Sequence, residues 1–404
     1  TLFSKDAICE DVDAVFFDAN NDGHPDLYVV SGGNESREPQ ELEDRLYVND
    51  GTGHFTKASE AFTPEYKNKS CVAVADVDLD GDADVFVGTL SNPAAYGIPQ
   101  TSCLFINDGH AHFTKATSRK IKLDSIGMVT SAAFADVNND GWPDLVVSGE
   151  WMPIKIYINN KGTFEEKDLP ASTGLWQNVY VTDLNGDGYP DFFAGNWGHN
   201  TKLWAGKNGP CKLFVKDFDR NGSIDQVMSY SIDGKDYSFL AKDELERSLP
   251  VLKKAYLNYG EVAGKTVQYM LYDLFKGNIE LEAVELGSCY FENDKKGGFK
   301  KIILPDRLQL APIFTFQKTD PQLQDKMFIS GGNFFDVTPY EGRYDAQSLA
   351  LFRSDNYGLH ELSQPDLSQV PGQVRDMKWI RTVHGRVLVV ARNNQPLIFL
   401  KRGM

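Results

Sequence analysis

The sequence predicts an all-β chain of repeated four-stranded antiparallel units, and three observations carry that reading. A nine-residue acidic motif occurs five times, each copy lies between two short apolar runs, and hairpin turns rich in Asn, Asp and Gly recur after it. A β-rich repeat of this length is the signature of a β-propeller rather than of a helical solenoid.

Each motif carries a side-chain oxygen at positions 1, 3, 5 and 9 and Gly at position 6. The first copy places Asp18, Asn20, Asp22 and Asp26 at those positions, with His24 at position 7. The second has Asp76, Asp78, Asp80 and Asp84, with Asp82 at 7, and the third Asp136, Asn138, Asp140 and Asp144, with Trp142 at 7. The fourth has Asp183, Asn185, Asp187 and Asp191, with Tyr189 at 7, and the fifth Asp217, Asp219, Asn221 and Asp225, with Ser223 at 7. Dense carboxylates repel unless a cation lies among them, and Ca²⁺ accepts six to eight oxygen ligands in irregular geometry. Free variation at position 7 fits a residue that lends only its backbone carbonyl. An EF-hand would need a bidentate Glu at position 12; Val29, Val87, Val147, Ala194 and Met228 stand there instead. The remaining alternative is five acidic hairpin turns without metal.

Composition narrows the partners. Forty-one Lys and Arg against 57 Asp and Glu leave a formal charge of −16, which disfavours nucleic acid and anionic membranes. Up to five Ca²⁺ would offset much of that charge. Five cysteines, with no CxxC pair, argue against a disulfide framework or structural zinc and suggest buried free thiols in strands. No apolar run reaches the length of a membrane helix. The chain begins with Thr1 and reads as a processed chain or as part of a longer surface-anchored one.

Taken in order, the motif starts are 58, 60, 47 and 34 residues apart. Each repeat reads as strand A, metal loop, strand B, longer loop, strand C, tight turn and strand D. Blade 1 covers about 12–58, blade 2 about 70–117 and blade 3 about 129–168. Blade 4 reads as short, about 177–208, with Lys202-Leu203-Trp204 as its strand C. Blade 5 begins at Lys212 and carries a mainly helical insertion at about 240–280, then strands C and D within 283–304. Two blades without ligands follow. The last lacks a strand D, and Thr1–Ala7 resembles the D strands Phe55-Thr56-Lys57 and Phe113-Thr114-Lys115. The expectation is a single-domain, seven-bladed β-propeller over 1–404, closed by the N-terminal strand, with a helical insertion in blade 5. An incomplete propeller finished by another part of the parent chain is the alternative.

The motif within strand-rich repeats resembles the FG-GAP/VCBS repeats of the α-integrin propeller. The Asn-Asp-Gly-x-Gly-x-Phe hairpins and Gly195-Asn196-Trp197-Gly198 resemble bacterial surface lipoproteins with such repeats. The resemblance implies Ca²⁺ in the A–B loops and an extracytoplasmic address: cell surface, outer-membrane-associated or secreted. It implies no activity.

The loops opposite the metal turns would then carry recognition. Trp151, Trp176, Trp197, His199 and Tyr340 are the candidate ligand contacts, although tryptophans at equivalent strand-B exits could instead wedge between blades. The reading is a calcium-stabilised binding module for a protein or a glycan. An enzyme such as a polysaccharide lyase is the alternative, weakened because Glu35, Glu150 and Glu341 show no paired carboxylate. A structural spacer is a third reading.

Overall fold

The computed structural model of the protein describes residues 2–35, 38–203, 205, 209–322, 326–337, 342–355 and 358–401. The acidic motif organises the local structure. In every copy the residue before position 1 pairs with position 9: Phe17 with Asp26, Ala75 with Asp84, Ala135 with Asp144, Thr182 with Asp191 and Lys216 with Asp225. The hairpin therefore closes directly around the loop, as the alternation of apolar runs and acidic turns predicts.

Three consecutive meanders come first. They are β1 (Asp11–Phe17), β2 (Asp26–Ser31), β3 (Arg45–Asn49) and β4 (Phe55–Lys57); then β5 (Asn68–Ala75), β6 (Asp84–Ser91), β7 (Cys103–Asn107) and β8 (Phe113–Lys115). The third has β9 (Met128–Ala135), β10 (Asp144–Met152), β11 (Lys155–Asn159) and β12 (Phe164–Asp168), with the two-residue β13 (Gly174–Leu175) added.

The fourth meander departs from the sequence expectation. Its strands A and B are β14 (Asn178–Thr182) and β15 (Asp191–Gly195), and a whole module follows before strand C. That module contains β16 (Cys211–Lys216), β17 (Asp225–Ile232) and β18 (Lys235–Ser238), the short helices α1 (Lys242–Ser248), α2 (Pro250–Ala255), α3 (Tyr259–Val262) and α4 (Val267–Leu271), and β19 (Ile279–Ala283). Only then do β20 (Cys289–Asn293) and β21 (Phe299–Ile303) complete the order β14-β15-β20-β21. Strands C and D expected for blade 5 thus belong to blade 4, and Lys202-Leu203 forms no strand. The inserted sheet runs β18-β17-β16-β19, so its last strand lies beside strand A instead of extending the meander. The fifth metal loop sits in this inserted sheet.

The chain continues with β22 (Ile313–Lys318), β23 (Met327–Gly332), β24 (Leu349–Asp355) and β25 (Gly358–Leu362). After α5 (Pro365–Ser368) come β26 (Val374–Thr382), β27 (Gly385–Arg392) and β28 (Gln395–Leu400), a three-stranded sheet. Among the described residues, six of the seven sheets have the meander order of a blade.

Among the described residues the expected N-terminal closing strand does not form. Phe3–Asp6 is a 3₁₀ turn against the first sheet. Phe3 packs edge-on against Tyr47 at 5.0 Å, the Tyr47 hydroxyl donates to Asp6 at 2.6 Å, and Lys57 pairs with Asp6 at 3.0 Å. Those contacts fix the segment as a turn despite its strand-D composition.

Two compact units result, one of Thr1–Ala135, Asp140–Gly174 and Leu203–Glu285, the other of Asp136–Asn139, Leu175–Lys202 and Leu286–Met404. In the first, the A strands β1, β5 and β9 pack in succession, and Tyr28, Leu46, Phe105 and Phe113 fill the space between the first two sheets. A buried Lys69 ties those sheets together: its ammonium meets Asp44 at 3.0 Å and donates to the Leu42 and Glu65 carbonyls. In the second unit the A strands β14, β22 and β26 pack in succession, around Phe193, Phe316, Phe328 and Phe352. Cys71, Cys103, Cys211 and Cys289 are buried free thiols in strands, while free Cys9 is half-buried before β1.

One hydrogen-bond relay recurs through the meanders. The Asn ending strand C donates its backbone N–H to the position-9 carboxylate: Asn49 to Asp26 at 2.7 Å, Asn107 to Asp84 at 2.9 Å, Asn159 to Asp144 at 2.7 Å and Asn293 to Asp191 at 2.8 Å. Its side-chain amide also reaches the preceding metal loop, from Asn107 to the Ala19 carbonyl, Asn159 to Val77 and Asn293 to Val137. Asn49 reaches only Pro25 of its own loop. Replacing buried Asn107 with Ala removes donations to the Ala19 and Ala83 carbonyls, the first of which keeps the Ala111 N–H, and is expected to cost about 1–2 kcal/mol. Asn49→Ala, at a more exposed site with one such bond, is expected to cost about 1 kcal/mol or less. Denaturant unfolding of both variants checks the order, and equal losses would refute the relay.

Candidate metal centres

The loops are preorganised by their own backbones. The position-1 carboxylate accepts from the N–H of position 5 and of the position-6 Gly. Asp76 does so from Asp80 at 3.1 Å and Gly81 at 2.9 Å, and Asp217 from Asn221 at 3.0 Å and Gly222 at 2.9 Å. Asp18 and Asp183 repeat the pattern with Asp22 and Gly23, and with Asp187 and Gly188. At position 5, Asp22, Asp80, Asp140, Asp187 and Asn221 each accept the N–H of position 7 at 2.7–3.0 Å. These Asx-type turns need the left-handed backbone at positions 4 and 6. Gly81 has φ +100°, and Leu79, despite its Cβ, has φ +57°.

Position 9 differs from the others. Asp26, Asp84, Asp144, Asp191 and Asp225 are all buried. Apart from the strand-C asparagine, Asp26, Asp84, Asp191 and Asp225 accept the N–H of position 2 at 2.8–3.0 Å. This residue is a staple of the loop as well as a candidate ligand.

The carboxylates converge in two loops. Asp76, Asp78 and Asp84 place one oxygen each within 4.8 Å of one another, and so do Asp217, Asp219 and Asp225. Asp78 Oδ1 is buried with no hydrogen-bond partner among the described residues, although Lys120 reaches its other oxygen at 3.1 Å. An acceptor-only cluster with an orphaned oxygen suits a hard cation. Burial pushes the Asp84 carboxyl up to about 7, with the charges of Asp78 and Asp80 adding to it against two backbone hydrogen bonds. Burial also raises Asp225, and Asp217 and Asp219 add to the shift.

At positions 1, 3, 5 and 9, loops with Asn at position 3 carry one carboxylate fewer than the Asp76 loop and as many as the Asp217 loop, whose amide, Asn221, stands at position 5. Asn20 donates to Asp22 at 3.0 Å and Asn185 to Asp187 at 2.8 Å, and Lys295 pairs with Asp187 at 3.1 Å. Asn138 occupies the same position in the third loop. The position-7 side chains engage elsewhere: Tyr189 lies under Lys295, and His24 packs on Gly51.

The aromatic ligand candidates fare differently. Trp176 is fully buried and packs on Phe291 at 5.9 Å. Trp151 is buried, and its indole donates to the Tyr96 hydroxyl, which donates to Glu150. Both are core side chains with no face left for an external ligand. This partner of Glu150 is thus a tyrosine hydroxyl and not a second carboxylate. Trp197 is half-buried against Phe334 and Tyr344, its indole N–H without an acceptor, and His199 is exposed. Tyr340, with Arg37, Trp204 and Glu341, lies outside the described residues.

Repeated meanders, the first four opened by an acid-rich A–B loop, define a repeat protein of the propeller type. Residues 18–87, 94–147 and 136–194 match the FG-GAP-like repeat family. The fifth loop, in the inserted sheet, lies outside those matches. Among solved structures, an Agrocybe aegerita lectin that recognises non-reducing terminal N-acetylglucosamine is 18% identical, with 74% of this chain and 82% of the lectin covered and a TM-score of 0.32. BBS1N, solved in complex with ARL6DN, is 12% identical over 98% of this chain and 93% of its own, TM-score 0.37. Raptor of Chaetomium thermophilum is 10% identical over 97% of this chain and 27% of its own, TM-score 0.36. No curated protein sequence matches this chain.

Two outcomes test the loops. Asp78→Ala is expected to remove one Ca²⁺ from the stoichiometry measured by calorimetry, with the fold retained by circular dichroism. The pH dependence follows from Asp84. Its folded pKa lies above the ordinary 3.8, so its contribution to stability is fully present below that value and is lost as pH rises through about 7. In chelator the melting temperature is expected to be higher at about pH 5.5 than at about pH 8, and saturating Ca²⁺ to narrow that difference.

Proposed function

We propose that this chain is a calcium-stabilised, extracytoplasmic interaction module, in which metal loops hold strands A and B and the opposite ends of the sheets contact a protein or glycan. The observation that carries it is the convergence of Asp76, Asp78 and Asp84 on one point with a buried, partnerless oxygen. Asp217, Asp219 and Asp225 support a second full site. The loops of Asp18, Asp136 and Asp183 have the same frame with an amide at position 3, where the fifth loop keeps Asp219 and carries its amide at position 5 as Asn221; the position-3 amide favours weaker sites.

Extracellular calcium modules fill at about 10⁻⁴–10⁻³ M. Loops of this modest charge and open geometry work where calcium is abundant, which supports an address outside the cytoplasm. Among the described residues no helix is long and apolar enough to cross a membrane, and the acidic surface disfavours nucleic acid. Exposed His199 and half-buried Trp197, both beyond strand B of the fourth meander, remain the contacts of choice from the sequence reading.

Differential scanning calorimetry with and without chelator is the direct test. One site at about 100-fold saturation adds roughly 2.7 kcal/mol, so chelation is expected to lower the melting temperature by several degrees. An unchanged melt in excess chelator would remove the calcium reading.

A further inference from the structure

The inserted module carries a cavity that the repeat does not need. It holds about 180 Å³ and is built by β17, β18 and the helices that follow. Tyr230, Tyr237 and Tyr256 contribute aromatic walls, and Leu245, Leu252 and Met270 an apolar floor. Tyr256 is pinned by its hydroxyl, which donates to the Met270 carbonyl at 3.2 Å. One turn of α1 adds Lys242 and Glu246, an ion pair whose side chains are only 9% and 10% exposed.

That pair selects the occupant. A wholly apolar guest would seal a buried ion pair in a dry pocket without adding a hydrogen bond, at a penalty of several kcal/mol. Lys265 also lines the cavity, but its ammonium lies over the Tyr269 ring, 4.8 Å from the centroid, so an anion would face Glu246 and a cation Lys242. A neutral polyol meets both, since each hydroxyl can accept from the ammonium and donate to the carboxylate. Its C–H faces would lie against the tyrosine rings, which combine an apolar face with a polar tip. The volume admits one ring and its substituents rather than an extended chain.

We infer that the inserted module binds a single neutral hexopyranose residue in the cavity between Tyr230, Tyr237, Tyr256 and the Lys242–Glu246 pair. The inference names a ligand class for the proposed interaction module and rests on that reading. It adds a recognition site in the insertion to the contacts beyond strand B.

The experiment is a titration of the full chain with free glucose, galactose, mannose and their N-acetylamino forms, followed by saturation-transfer NMR and calorimetry. Saturable binding of at least one sugar is expected, weakened by about tenfold or more in Tyr237→Ala and in Glu246→Gln. Tyr272→Ala, at a side chain 77% exposed and outside the cavity, should bind as the parent does. Each variant must keep the parent's melting temperature in calcium; where Tyr237→Ala does not, Tyr237→Phe and Lys242→Met take its place. No binding by the folded parent to any sugar overturns the inference, as does binding unchanged in the cavity variants. Preferential binding of p-cresol or indole overturns it too, in favour of an aromatic peptide side chain. The melt in chelator is read separately, so loss of the calcium reading with sugar binding intact, or the reverse, identifies which statement fails.

Discussion

The buried aspartate at position 9 is the constraint on which the repeat depends. It sits at the first residue of strand B and closes the A–B hairpin by accepting from position 2 of its own loop. It also accepts from the asparagine that ends strand C, so three strands are referenced to one carboxylate. The asparagine then donates to the preceding loop. A carboxylate taken out of water must recover its hydration from donors. Here backbone N–H groups supply them, so the position cannot drift without exposing the charge or leaving it unpaired. Each blade is thereby built to a register that its neighbour reads.

The same account explains why the inserted sheet is not another blade. Asp225 keeps the bond from position 2, through Phe218, but β18 follows β17 after a two-residue turn, and β19 pairs on the far side of β16. With no strand-C asparagine on Asp225 among the described residues, nothing dictates the meander. The acidic loop is thus sufficient to make a hairpin and insufficient to make a blade. Its independent packing around Leu245, Leu249, Leu252 and Met270 gives the module a core of its own.

Much of this was legible in the sequence. The five loops, the alternating strands and the first three meanders follow from local pattern, because each strand pairs with its chain neighbour. The fourth meander was not legible, because Cys289 pairs with Ala194 across the whole insertion. An acidic motif at Asp217 in between invites the wrong assignment. The clue was Asn293-Asp294 with Phe299, which repeats the spacing of Asn49-Asp50 with Phe55 and so marks a C–D hairpin still owed to blade 4. Trp151 and Trp176 misled for a different reason. A tryptophan at a strand exit looks exposed in sequence, yet its fate depends on partners such as Tyr96 and Phe291 that lie far along the chain. Phe3 likewise had a strand-like context, and Tyr47 and Asp6 decided otherwise.

The difference between Asp and Asn at position 3 carries the electrostatic argument furthest. An asparagine can donate to position 5, as Asn20 and Asn185 do, so those loops are internally satisfied when no cation is bound. An aspartate cannot; Asp78 and Asp219 only add charge to a cluster that already holds a buried carboxylate. Loops with Asp at position 3 are therefore held together against repulsion and gain most from a divalent ion, whereas loops with Asn keep their shape more readily without one. The two Asp loops lie in the second blade and in the inserted sheet. Calcium would then act chiefly as a tie in one blade and in the one module that leaves the repeat, which couples the order of that module, and of any pocket it carries, to the calcium concentration.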